Sequence, residues 1–212
     1  ISLLILCYSK FGYNARAAEE KRVFLDRREN MPYNKEKIPG GKFMLTMQRA
    51  TALLSTTTTE EHLFLHAKNV SAAMGGMAKH FGADTELWEA IGYLHDYDYE
   101  QHPDAHLQFT EQPLLSEGVT AEEVRAILAH GFGHCNDVEP VTNAEKSLFT
   151  VDELTGIIQA AARMRPMGIT DMEISSFMKK FKDKKFAAKC DREVIRKGCE
   201  MLGMEVKDVA AI

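Results

Sequence analysis

The chain has 212 residues, of which 45% are hydrophobic and 27% charged, with a net charge of −5. That composition excludes collagen-like, low-complexity and wholly disordered classes and is sufficient for a buried core. No apolar run approaches the roughly 20 residues of a membrane helix.

The charge is unevenly spread. Residues 1–43 hold 9 basic and 5 acidic residues, residues 44–178 hold 7 and 20, and residues 179–197 hold 9 and 3. The overall balance does not favour a dedicated nucleic-acid binder; an acidic body usually just solvates the fold, but it could also house cations. The cysteines, Cys7, Cys135, Cys190 and Cys199, show no CxxC spacing. They are expected to be reduced thiols of a cytoplasmic protein.

The first 43 residues stand apart. Ile1 to Tyr8 form a short apolar run with no basic segment before it, and eight residues separate it from Ala17. Ala15-Arg-Ala17 resembles a signal-peptidase site, yet the three-part layout of a secretory signal is missing. Residues 14–42 are polar and basic, without helical period. Codons for Gly40-Gly41 readily spell a purine-rich ribosome-binding stretch just ahead of Met44. Two readings stand for residues 1–43: upstream sequence translated in frame, or a disordered basic arm. Neither assigns them a function. Residues 44–212 are expected to form one domain with a basic helical extension at its C-terminal end.

From Met44 the chain reads as helices. Thr-x-x-Glu recurs at Thr58–Glu61, Thr120–Glu123, Thr142–Glu145 and Thr170–Glu173. In this capping box the Thr hydroxyl accepts from the third residue's N–H and the Glu reaches back, so four helix starts are predicted. After the first box, Leu63, Ala67, Val70, Met74, Met77 and Phe81 make one apolar helical stripe. Gly82 should stop that helix, and Asp84 should cap the next, which carries Leu87, Ile91 and Leu94. Further stripes follow at Val124, Ile127 and Leu128, at Leu148, Val151, Thr155 and Ile158, and at Ile174, Phe177, Met178 and Phe181. A last helix is predicted from about Asp191 to Leu202, stopped by Gly203. Alternating β patterns are absent, so an all-α bundle is expected.

Several polar residues share these apolar faces. His66 borders the first stripe. His95 follows Ile91 by four residues, Asp96 follows directly, and Asp152 follows Leu148 by four. A carboxylate near a core costs several kcal/mol unless it is paired or coordinated. Few Lys or Arg lie nearby in sequence, and one divalent cation would satisfy all four groups. Imidazole nitrogen and carboxylate oxygen suit Zn, Mn, Fe, Co or Ni.

His66, then His95-Asp96, then Asp152, set in "LHAKNVSAAMGGMAKHFG", "IGYLHDYDYE" and "TVDELTG", resembles the HD superfamily of metal-dependent phosphohydrolases over about residues 60–165. More closely, the chain is similar to small stand-alone bacterial HD-domain predicted hydrolases. It departs from the commoner His-Asp-Ile-Gly form, having Tyr97-Asp98 after the dyad. The resemblance implies an HD-domain helical bundle and one or two divalent ions, Mn, Fe, Co, Ni, Zn or Mg. It implies a small phosphorylated substrate or nucleotide; from hydropathy and charge balance, neither a membrane nor a nucleic-acid partner is expected.

Binuclear members carry two more histidines between dyad and last Asp. His106 and His130 fall where those would stand, with Asp96 then bridging two ions. The alternatives are that both merely line a pocket, or that His102 and His134 are the relevant neighbours.

Phosphoryl transfer rests on positioning and charge stabilisation, so cations near the site are expected. Lys146, Arg163 and Arg165 are candidates, each weighed against a solvated surface cation. Asp98 or Glu100 could orient a water or leaving group, weighed against a helix-end acid. Residues 179–186 read either as a lid or basic rim, or as a solvated helix face with Phe181 and Phe186 docked into the core; we expect the second. Two other function classes compete with the hydrolase: a di-iron oxygenase using the same residues, and a noncatalytic metal- or nucleotide-binding module.

Overall fold

The computed structural model describes residues 44–212; both readings of residues 1–43 lie outside the described residues. Within them the fold is all-α, with no strand and one isolated bridge between Phe132 and Asn136. The helices are α1 (Met47–Thr57), α2 (Glu61–Phe81), α3 (Thr85–Leu94), α4 (Glu111–Ser116), α5 (Ala121–Leu128), α6 (Asn143–Ala162), α7 (Ile174–Lys182), α8 (Arg192–Leu202) and α9 (Val206–Val209). Short 3₁₀ turns cover Pro103–Ala105, Ala129–Gly131 and Gly168–Asp171. None of these helices is long and apolar enough to cross a membrane.

Local chemistry accounts for most of the helix ends. Thr120 and Thr142 each form the complete reciprocal capping box with Glu123 and Glu145. Asp84 and Asp191 cap α3 and α8 through their carboxylates. Gly82 and Gly203 close α2 and α8 at φ 65° and 67°, the left-handed region that glycine enters without a Cβ penalty.

Two predicted boxes do not form. Thr58 terminates α1 instead, and Glu60 takes the N-cap position of α2. The orphan N–H groups of Thr59 and Glu60 donate to the carboxylate of Glu100, at 2.7 and 3.0 Å. Glu100 is therefore a tertiary cap rather than a residue that orients water. Thr170 lies inside a 3₁₀ turn, and α7 starts only at Ile174. Helices α1, α4 and α9 were not predicted; α4 and α9 have only 6 and 4 residues, too few to display a period.

The stripe of α2 packs as expected, with Ala67, Val70, Met74 and Met77 buried against Ile91 and Leu94 of α3 and Leu148, Leu154 and Ile157 of α6 in one core. Leu63 and Phe81, at its ends, are only half-buried. Gly92 sets how closely α2 and α3 meet. A Cβ there would stand 3.1 Å from the Val70 carbonyl oxygen and press on the Met74 side chain. That contact is one turn from His66 on α2 and one turn from His95, so it fixes the spacing of the two imidazoles.

Phe181 is buried and Phe186 packs against the core, while Lys179, Lys182, Lys184 and Lys185 face solvent. Residues 179–186 are thus the solvated face expected. The segment after them is built differently. Arg192, only 8% exposed, donates to the carbonyls of Phe181, Asp183, Ala187 and Cys190 at 2.7–3.3 Å, and to that of Phe186. One planar guanidinium thereby ties the 181–190 backbone to the start of α8. No disulfide joins Cys135, Cys190 and Cys199.

Candidate metal centre

Six side chains from five parts of the fold converge. His66 comes from α2, His95 and Asp96 from just past the end of α3, His106 from the following loop, His130 from the turn after α5, and Asp152 from α6. The dyad therefore sits beyond the helix rather than on it. His66 Nε2 lies 2.9 Å from Asp152 Oδ1 and 3.1 Å from His95 Nε2. His95 Nε2 lies 3.3 Å from Asp96 Oδ2 and 3.4 Å from Asp152 Oδ1. On the other side, His106 Nε2 lies 3.2 Å from Asp96 Oδ1 and 3.1 Å from His130 Nε2.

Asp96 turns one oxygen to each pair of histidines. Oδ2 faces His66 and His95, at 3.6 and 3.3 Å, and Oδ1 faces His106 and His130, at 3.2 and 3.7 Å. Two groups that could hold an ion, His66–His95–Asp96 and Asp96–His106–His130, share this carboxylate, and His95, His130 and Asp152 form a third overlapping set.

The second nitrogen of three imidazoles decides what the first can do. His95 Nδ1 donates to the Gly92 carbonyl at 2.8 Å, and His130 Nδ1 to that of Ile127 at 2.6 Å. A carbonyl oxygen only accepts, so these Nδ1 atoms carry the proton and each neutral Nε2 offers a lone pair. His106 Nδ1 likewise donates to Asp98 Oδ1 at 2.9 Å. The cluster is therefore a set of lone pairs with carboxylates among them, and it requires positive charge at its centre. Donors held by one cation at roughly 2.0–2.2 Å stand about 3–3.5 Å apart. The observed spacings match, and nitrogen and carboxylate donors suit the metals expected. Buried imidazoles backed by carbonyls and a carboxylate are also the usual outer support of metal ligands.

The titration of these groups reflects the same requirement. Burial alone would lower the His95 and His106 imidazoles, but Asp96 with Asp152, and Asp96 with Asp98, outweigh it. His95 is held well above its ordinary value and His106 is raised to about 9. Burial and the neighbouring His95 and His106 push His130 down to about 4. Burial would raise both cluster carboxyls. Instead His95 and His106 hold Asp96, and His66 and His95 hold Asp152, well below the carboxylate range. Among the described residues the ion-pair partners of Asp96 and Asp152 are all histidines.

Of the histidines left open by sequence, His106 and His130 join the cluster. His102 stacks on Phe109 with ring centroids 3.9 Å apart, and His134 faces solvent.

The residues assigned catalytic roles fare differently. Asp98 is 2% exposed and cannot orient a substrate water. Its carboxylate accepts from His106 Nδ1, Leu107 N and Phe109 N, at 2.9, 3.0 and 3.0 Å. It holds the loop in shape, including Leu107 at φ 68°, an unfavourable value for a leucine. Lys146 precedes Asp152 by six residues, about 240° round the helix, and no ion pair joins it to the cluster carboxylates. Arg165 is bonded to Asp171 and Ser176, in a separate cavity with Met164, Met172 and Phe177.

Arg163 is placed otherwise. Eleven residues after Asp152 return to within about 20° of the same helix face. It lines a cavity of about 90 Å³ together with His66, Asp152, Glu153, Gly156 and Lys189. Two of these, Glu153 and Lys189, were missed. Glu153 accepts from Asp191 N at 2.9 Å; burial and adjacent Asp152 raise its carboxyl to about 7. Its place beside Asp152 was a usable signal. Nothing in the sequence separates Lys189 from the lysines before it.

Asp98→Ala should leave the His66 side of the cluster intact while freeing His106. The affinity for a second ion is expected to fall about 10- to 100-fold, with the first ion retained, as measured by titration against a competing chelator. An unchanged two-ion titration would show that Asp98 does not support His106.

Comparison of the chain with known protein families, with curated proteins and with solved structures finds no match.

Proposed function

We propose that the chain is a metal-dependent phosphohydrolase with an HD-type bundle, acting on a small phosphate ester or nucleotide. The observation that supports this reading is the convergence of four imidazoles and two carboxylates, in the order His…His-Asp…His…His…Asp, beside a cavity with basic side chains on its wall. His66, His95, Asp96 and Asp152 would hold one divalent cation, and Asp96, His106 and His130 a second. Such cations lower the pKa of water to about 7 and polarise a phosphoryl oxygen.

The protein's own groups have distinct roles in this reading. The carbonyls of Gly92 and Ile127 and the carboxylate of Asp98 keep Nε2 of three histidines turned inward. Glu153 lines the cavity beside Asp152, where its carboxylate accepts from the Asp191 N–H and ties the start of α8 to α6. Arg163 replaces Lys146 and Arg165 as the α6 cation facing the substrate. A small phosphorylated partner and a cytoplasmic setting belong to the same proposal.

The test is direct. The purified chain is assayed for bound metals, then for phosphate release from nucleotides, dinucleoside polyphosphates and sugar phosphates with Mn, Co, Ni, Mg and Fe. Metal-dependent release is expected for at least one class. Tight metal binding with no release across the panel would favour a noncatalytic module. The six convergent ligands also suit a di-iron oxygenase, which would reveal itself by two irons per chain and oxygen uptake.

A further inference from the structure

The cavity beside the cluster has an unusual wall. Nζ of Lys189 is out of contact with solvent and has no hydrogen-bond partner. A primary ammonium taken from water without an acceptor is costly, and native interiors rarely leave one so. It is not a stray surface lysine, because the segment bearing it is held on both sides. Arg192 gathers the carbonyls of Ala187 and Cys190 around it. Gly156 lets it approach α6, where a Cβ would stand 2.7 Å from Cys190 Sγ. Ala187, two residues earlier, is held at φ 42°, a conformation that a non-glycine residue rarely adopts unless its surroundings impose it.

His66 and Asp152, both members of the metal cluster, line the same cavity as Lys189, and so does Arg163. The space therefore runs from the cluster to two basic side chains. Its volume of about 90 Å³ corresponds to about three waters at roughly 30 Å³ each. That is the scale of a phosphate group and far below the roughly 300–1,000 Å³ of a site enclosing a whole drug-sized ligand.

We propose that Lys189, flanked by Arg163, is the anion subsite of this centre, receiving the terminal oxygens of a phosphate monoester head while the organic part of the substrate stays outside the cavity. An oxyanion in the cavity supplies the acceptor that Lys189 lacks, once the ammonium swings from its buried position into the cavity that the residue lines. This inference rests on the phosphohydrolase reading for the identity of the anion, but the subsite can be tested without turnover.

The experiment is equilibrium dialysis of inorganic phosphate against the full chain loaded with Mn(II), with metal content measured on the same samples. Wild type should bind phosphate. Lys189→Gln should weaken it at least tenfold at unchanged metal stoichiometry and an unchanged circular dichroism spectrum. Lys189→Arg should recover most of the affinity, and Lys185→Gln, on the exposed face, should not alter it. Gly156→Val, whose side chain presses on Cys190 and intrudes on the cavity that Gly156 lines, should also weaken phosphate binding. Wild-type phosphate affinity in Lys189→Gln would overturn the subsite, as would a wild type that binds no phosphate. Phosphate binding that depends on Lys189 without any ester hydrolysis would sink the hydrolase reading and leave the subsite standing. Hydrolysis with an unaltered KM in Lys189→Gln would do the reverse.

Discussion

Asp96→Ala is expected to lose both cations and with them at least about 10³ in phosphate release, equivalent to about 4 kcal/mol of transition-state stabilisation. No other side chain in the cluster turns a separate oxygen to each pair of histidines. Removing it opens both subsites at once and leaves His66, His95, His106 and His130 as unscreened lone pairs. The bundle should survive, because Ile91 and Leu94 of α3 stay buried against α2 and α6 without help from the carboxylate. Circular dichroism should therefore remain helical while metal analysis shows no tight ion. His130→Ala is the contrast. Its Nε2 faces His106 and Asp96 Oδ1, so only the second subsite should be affected, and stoichiometry should fall by about one ion per chain. Full metal content and wild-type release in Asp96→Ala would refute the assignment.

Metal removal should make stability fall with rising pH above neutrality. In the chelated protein the positive charge in the cluster comes from protons, chiefly on His95 and His106. His106 is raised from 6.5 to about 9, so its contribution is full below pH 6.5 and disappears as pH rises through about 9. The 2.5-unit difference corresponds to about 3 kcal/mol. For a chain of this size that is roughly 6–12 °C in Tm. His130 acts in the opposite sense lower down. Its value of about 4 means the unfolded chain binds the extra proton between pH 4 and 6.5, so stability rises with pH in that window. With cations bound, the imidazoles are neutral already and metal replaces the proton. The loaded protein should hold its Tm from pH 7 to 9.5, while the chelated protein declines. Parallel profiles for the two forms, by scanning calorimetry, would exclude a cation at this cluster.

Much of this was legible in the sequence because it is local. A helical stripe such as Val70–Met74–Met77 is a matter of 3.6-residue spacing, and the boxes at Thr120 and Thr142 need only residues three apart. The inward set of His66, His95, Asp96 and Asp152 was legible for the same reason: each is a polar residue in register with, or directly beside, buried neighbours. The same period carries Arg163 back to the face of Asp152 and takes Lys146 and Arg165 away from it.

What the tertiary structure alone decided are relations between segments that share no period. Thr58 and Thr170 have the same local pattern as Thr120 and Thr142, but the α2 terminus is capped by Glu100 from about 40 residues away. Asp98 looked like a free acid beside the dyad until the returning loop brought three donors to it. The approach of α2 and α3 at Gly92 sets the distance between His66 and His95, and no spacing along the chain encodes it. Lys189 is one of nine basic residues between 179 and 197. Its ammonium is buried and the residue lines the cavity beside the cluster because Arg192 and Gly156 turn its segment inward, and the direction of a loop is set by packing rather than by the identity of the residue it carries.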